Sequence, residues 1–249
     1  MAPAPVRVLD DLRTRIAGIA RAGRPARPAV PFGVAAIDAR LPQGGLCRGA
    51  LHEIAGGVHG AEAVLFVAGV LARLEGPVLW CLRRRDLFAP ALAGAGLHPD
   101  RVIYAEGGDE RTVLLCLEEG VRHAGLAGAV GEVARLSMPA SRRLQLAAEA
   151  SGVIAFVIRR WSRAGEAGAF AQPTAATTRW RITAVPSAPL PVPGLGRARW
   201  RLELVRARGG DSAAWEVEAC DAQGRLAVSS ADLADRSAAA TEGRQRASP

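Results

Sequence analysis

The segment Ile54-Ala-Gly-Gly-Val-His-Gly-Ala-Glu62 holds the residues of this 249-residue sequence best placed for phosphate chemistry. A phosphate-binding loop sets glycines between a strand and a helix, so that backbone N–H groups can surround the anion. A lysine then reaches the outer phosphates and a Ser/Thr hydroxyl holds Mg²⁺. Gly56, Gly57 and Gly60 supply the glycines, but Ala61 and Glu62 stand where the lysine and hydroxyl belong. A carboxylate at Glu62 repels a phosphate. The chain has no lysine anywhere, which also excludes Schiff-base chemistry. In Ala129-Val-Gly-Glu-Val133, Gly131 takes the usual place of the Mg²⁺-holding aspartate, and strand alternation turns Glu132 to the other face. These residues read first as a tight strand-to-helix turn and second as a degenerate nucleotide site of Gly56, Gly57, Gly60 and Glu132.

Metal chemistry finds less support. Cys47, Cys81, Cys116 and Cys220 form no CxxC pair, and His52, His59, His98 and His123 are equally scattered. No catalytic residue, metal ligand set or cofactor is expected, and the cysteines fit a reducing cytoplasm.

The second chemical feature is arginine beside flat rings. Residues 159–208 carry ten arginines against two glutamates, with Trp161, Trp180 and Trp200 among them. Guanidinium groups meet phosphates and aromatic faces stack on bases, the combination that suits a single strand. Alternation in Arg179-Trp-Arg-Ile182 and Arg199-Trp-Arg-Leu202 puts the arginines on one face and Trp180 and Trp200 on the other, in the core. Cross-strand pairing with Glu203, Glu216 or Glu218 competes with phosphate for the arginines. The candidate DNA contacts are Arg159, Arg160, Arg163, Phe170, Gln172, Thr177, Thr178, Arg179 and Arg181. None offers a code for reading bases, so binding should be tolerant of sequence.

These residues hang on an alternating framework. Strands are expected at Leu51–Ala55, Pro77–Leu82, Arg101–Ala105, Ala127–Val133 and Val153–Ile158, with helices at Ala61–Leu74, Leu87–Ala95, Glu110–Ala124 and Pro139–Ser151. Continuous apolar strands separated by helices imply an α/β fold, its mostly parallel sheet covered on both faces. Beyond Trp161 the pattern changes to half-exposed alternation at Arg179–Val185, Arg199–Arg206 and Ala214–Cys220, an antiparallel C-terminal extension. The expected division is an N-terminal amphipathic helix (Val8, Leu9, Leu12, Ile16 and Ile19) and linker over 1–30, a main domain over 31–228, and a small, polar, disordered tail over 229–249.

Composition agrees with a folded protein: 49% hydrophobic, 22% charged, net charge +8. A pI near 10.9 favours anionic partners, nucleic acid first. The most apolar window, Ala63 to Leu74, is too short to span a bilayer, so a cytoplasmic location without a membrane partner is expected.

Several stretches taken together resemble the RecA-type recombinases. They are Pro31-Phe-Gly-Val-Ala-Ala-Ile-Asp38, Leu41 to Ile54, Gly96-Leu-His-Pro-Asp-Arg-Val-Ile103 and Ala147-Ala-Glu-Ala-Ser-Gly152. Gly131 to Leu136, Ser141 to Glu149 and Arg179 to Ile182 are particularly similar to the ImuA family, RecA-like (also SulA-like) accessory proteins of damage-induced mutagenesis. The resemblance covers roughly residues 30–228. It implies a non-catalytic role in error-prone translesion synthesis beside ImuB and an alternative replicative-type DNA polymerase, with RecA as a further partner and association with the nucleoid when bound to DNA. It also places Phe170-Ala-Gln-Pro-Thr174 at the start of the recombinase loop that contacts single-stranded DNA. A divergent ATPase using Arg83 to Arg85, and a SulA-like inhibitor of cell division, are the alternatives.

Overall fold

In the computed structural model the described residues are 28–57, 60–161, 164–187, 194 and 196–228. The expected N-terminal helix, the tail and Arg163 lie outside them. The described residues open with β1 (Ala29–Val30), a single helical turn α1 (Ala35–Asp38) and β2 (Leu46–Cys47), which pairs antiparallel with β1. Neither two-residue strand is long enough to show a period, so pattern reading does not find them.

The body then alternates as expected. It runs β3 (Leu51–Ala55), α2 (Ala61–Ala72), β4 (Val78–Leu82), α3 (Ala89–Gly94), β5 (Val102–Glu106), α4 (Glu110–Val121), β6 (Gly128–Val133), α5 (Met138–Ser151) and β7 (Ile154–Arg159). β8 (Thr178–Val185), β9 (Arg199–Ala207), β10 (Ala213–Glu218) and the short β11 (Ala227–Val228) complete it. A single nine-stranded sheet runs β11-β10-β9-β8-β3-β7-β6-β4-β5. Its members from β5 to β8 are parallel, and those from β8 to β11 antiparallel.

Local chemistry sets the boundaries. Asp109 caps α4 by accepting from Thr112 N at 2.9 Å, and Ser137 caps α5 through Ala140 N. Gly152, at φ 90°, ends α5 in the left-handed conformation. β3, β6 and β7 are buried at every position, because helices cover both faces. On one face α2 brings Phe66 against Phe32 and Trp180, with ring centroids 5.5 and 5.9 Å from Phe66. On the other, Leu117 of α4 and Leu144 of α5 pack over Ala129, Ala155 and Val157. Trp180 and Trp200 are core residues, as alternation predicts.

Candidate functional site

The parallel strands end at one rim, where open α/β sheets bind ligands. There the glycine turn after β3 closes on itself. A Cβ on Gly56 would lie 2.6 Å from the Gly60 Cα, and Gly60 holds φ at 64°. Compactness therefore accounts for these two glycines without a ligand. The Gly57 N–H, which a phosphate loop would aim at its anion, donates instead to the Glu62 carboxylate. The residue that breaks the motif thus supplies an internal anion to the turn.

Beside it, a crevice of about 290 Å³ is lined by Arg83, Arg84, Asp86, Glu132, Arg160 and Trp161 among others. Small-molecule sites usually run from roughly 300 to 1,000 Å³, so this is a small one. Its two carboxylates are already paired, while Arg84 is exposed and makes no ion pair among the described residues. Glu132 is buried on the face that carries Trp80, and accepts from Trp80 Nε1 at 2.7 Å and from Arg160 at 2.6 Å. Arg160 also holds Asp86 at 2.9 Å. Burial weakens the Arg160 charge, but the carboxylates of Glu132 and Asp86 more than compensate and raise its pKa. Leu117 rests on Gly131 from the opposite face. Arg83 lies 3.9 Å from Glu110, and Arg85 bonds Glu106 at 3.0 Å. Among the described residues no cluster of His, Cys, Asp and Glu could hold a metal ion.

A second polar cluster is wholly internal. Glu53, in the middle of β3, has no exposed surface. Its two oxygens accept from Arg159 at 2.7 Å, Arg179 at 2.7 Å and Thr174 at 2.6 Å. Arg159 is 1% exposed and also donates to the Ala134 carbonyl. Burial pulls its pKa down and Glu53 opposes the fall. Arg179 donates to the Phe170 carbonyl and lies under the Phe170 ring, 4.4 Å from its centroid. The connector between β7 and β8 carries a 3₁₀ helix at Ala164–Ala171 and is tied down at its far end. Ala175 N donates to Ser141 Oγ, and Arg206 to the Thr174 carbonyl.

This arrangement corrects several of the expected DNA contacts. Arg159 and Arg179 are spent on Glu53, and a guanidinium sealed against a buried carboxylate cannot reach a phosphate. Phe170 is buried with its face on Arg179, so it offers no surface to a base. The Thr177 hydroxyl donates to Gln145 Oε1, and Thr178 Oγ1 bonds His52 Nδ1 at 2.7 Å. Trp180 Nε1 donates to that same Thr178 oxygen. Gln172 and Arg181 are exposed and Arg160 partly so. Glu53 escaped the sequence reading, although a lone acid inside an otherwise uncharged buried strand is itself a signal.

Arginines of the antiparallel half line a solvent face and meet carboxylates there. Arg181 and Arg201 flank Glu203 at 3.6 and 3.1 Å, Arg199 reaches Glu216 at 2.9 Å, and Arg197 reaches Glu218 at 3.1 Å. Arg206 and Arg208 are exposed beyond this ladder.

The parallel body and its antiparallel extension define a RecA-like recombinase fold. The crystal structure of the RadB recombinase matches it with a TM-score of 0.54 at 17% identity, covering 79% of this chain and 98% of that one. No protein-family model matches the chain. Protein ImuA of Caulobacter vibrioides strain NA1000 / CB15N is 40% identical over 207 residues, 78% of this chain and 85% of the relative. Protein ImuA of strain ATCC 19089 / CIP 103742 / CB 15 matches to the same extent. This chain belongs to the ImuA family.

Proposed function

We propose that this protein is a non-catalytic accessory of error-prone translesion DNA synthesis, a recombinase-shaped body that binds single-stranded DNA and holds ImuB and an alternative replicative-type polymerase together, with RecA as a further partner. One observation carries the non-catalytic part: the rim that would hold a triphosphate is occupied by the protein's own side chains, the Glu62 carboxylate on the Gly57 N–H and Arg160 between Glu132 and Asp86. A nucleotide would have to break these pairs, and no lysine is present to replace them. The candidate DNA contacts are narrowed to Gln172 and Arg181, joined by Arg201, Arg206 and Arg208, all exposed. Exposed pairs such as Arg201–Glu203 stabilise the fold by only about 0–1 kcal/mol and can be exchanged for phosphates. No helix among the described residues is long and apolar enough to cross a membrane.

The test mixes purified full-length protein with purified ImuB and the polymerase, with and without a single-stranded oligonucleotide, and follows phosphate release from Mg·ATP in parallel. Co-elution of the proteins without phosphate release is expected. Turnover of Mg·ATP that is lost in Arg160→Ala overturns the non-catalytic reading, and separate elution overturns the scaffold.

A further inference from the structure

The face of α4 and α5 turned away from the sheet carries a groove of about 760 Å³, the larger of the two concavities described here. Its chemistry differs from that of the crevice at the strand ends. Leu114 and Leu115 form an apolar floor on α4, and Leu115 is 53% exposed. Arginines stand around it: Arg111 and Arg122 from α4, Arg135 from the turn before α5, and Arg143 from α5. Met138 and Leu146, also on α5, are exposed as well.

The four arginines outnumber the two carboxylates, Glu118 and Glu119, and Glu118 is already engaged. Glu118 accepts from Arg122 at 2.8 Å and from Arg143 at 2.9 Å, which fixes both guanidinium groups at the rim. Partial burial works against its ionisation, but those two bonds prevail and hold its carboxyl below the usual range. Glu119 lies 3.7 Å from His123. Arg111 has the exposed Asp109 within electrostatic reach. Arg135 is exposed and makes no ion pair among the described residues. The groove therefore has a net positive rim over exposed aliphatic carbon.

We propose that this groove is a docking surface for an acidic, amphipathic segment of a partner protein. The apolar side chains of that segment would lie on Leu114 and Leu115, and its carboxylates would meet Arg111, Arg135 and Arg143. Charge complementarity selects the acid, since an Arg–carboxylate pair is charge-assisted and able to bond through two parallel hydrogens. The exposed leucines select an amphipathic helix over a polynucleotide. A helix laid in a groove buries anchors at i, i+3 and i+4, whereas a phosphodiester strand would leave the leucines unused. No ring in the groove could stack on a base. This inference depends on the α4–α5 face alone and not on the translesion reading, so either can fail without the other.

The experiment uses the full chain and a fluorescein-labelled synthetic helical peptide of about 15 residues, with leucines on one face and glutamates elsewhere. Controls are a peptide of the same composition scrambled to destroy the apolar face, and an oligodeoxythymidylate. Anisotropy should show saturable binding of the amphipathic peptide, and about tenfold weaker binding in both Arg135→Glu and Leu115→Asp, the loss of one good contact. Both side chains are exposed, and unchanged thermal melting of each variant would show the fold intact. Absence of saturable binding, or equal binding of the scrambled peptide, overturns the proposal. So does displacement of the peptide by the oligonucleotide with the same sensitivity to Arg135→Glu, which would make the groove a nucleic-acid surface.

Discussion

The two halves of the sheet treat the same residue type in opposite ways. In the parallel half, Arg159 and the adjoining Arg179 are buried, Arg179 beneath Phe170 of the β7–β8 connector, and one carboxylate, Glu53, serves both. In the antiparallel half, Arg181 and Arg201 lie on an open face beside Glu203. Coulomb attraction acts in both halves, but water screens only the second. Arginine on the strands is therefore part of the architecture in one half and an exchangeable surface charge in the other.

The largest effect should come from Glu53→Ala. It leaves two buried guanidinium groups without a counter-charge, and breaking such a network costs roughly 3–5 kcal/mol. Urea unfolding measures it, and a loss near that of a surface pair would erase the contrast between the halves.

Next is the pH dependence set by His52, where the halves meet. Burial lowers its pKa from 6.5 to about 4, while its bond to the Cys47 carbonyl resists the fall. With Nε2–H donated to that carbonyl, Nδ1 is left to accept from the Thr178 hydroxyl. The unfolded imidazole takes up its proton near pH 6.5 and the folded one only near 4. Unfolding therefore binds a proton between these values, and stability falls as pH drops through that window. The total approaches about 3 kcal/mol and levels off below it. Calorimetric melting from pH 7 to pH 4 should show this slope in the wild type and a flatter one in His52→Gln.

Arg160→Ala should cost about 1–3 kcal/mol, because Glu132 keeps Trp80 Nε1 but loses its buried ionic partner. Thermal melting checks this at the boundary between buried and exposed arginine. The smallest change is expected from Arg201→Ala, within about 1 kcal/mol in stability. The same variant should lower the salt slope of single-strand binding by about one if Arg201 meets a phosphate. An unaltered slope would restrict that arginine to its pair with Glu203.

Much of this was readable without coordinates. The five parallel strands and four main helices announce themselves by apolar run length and period, and Ala61 and Glu62 mark a glycine turn that lacks the lysine and hydroxyl of a phosphate loop. Trp180 and Trp200 fall on the core face through simple alternation. The candidate DNA contacts were less legible, because alternation says which face a side chain takes and not what covers that face. Arg179 and Arg181 share a face of β8, yet the connector carrying Phe170 closes over the first and leaves the second exposed.

Residue order thus determined the fold class, the loss of the phosphate lysine and the arginine surplus, since each depends on local pattern or on composition. Tertiary structure alone decided which arginines stay in water. It joined Glu53 to Thr174 and Arg179 across more than a hundred residues, and charge behaves as structure or as surface according to the solvent it is left with.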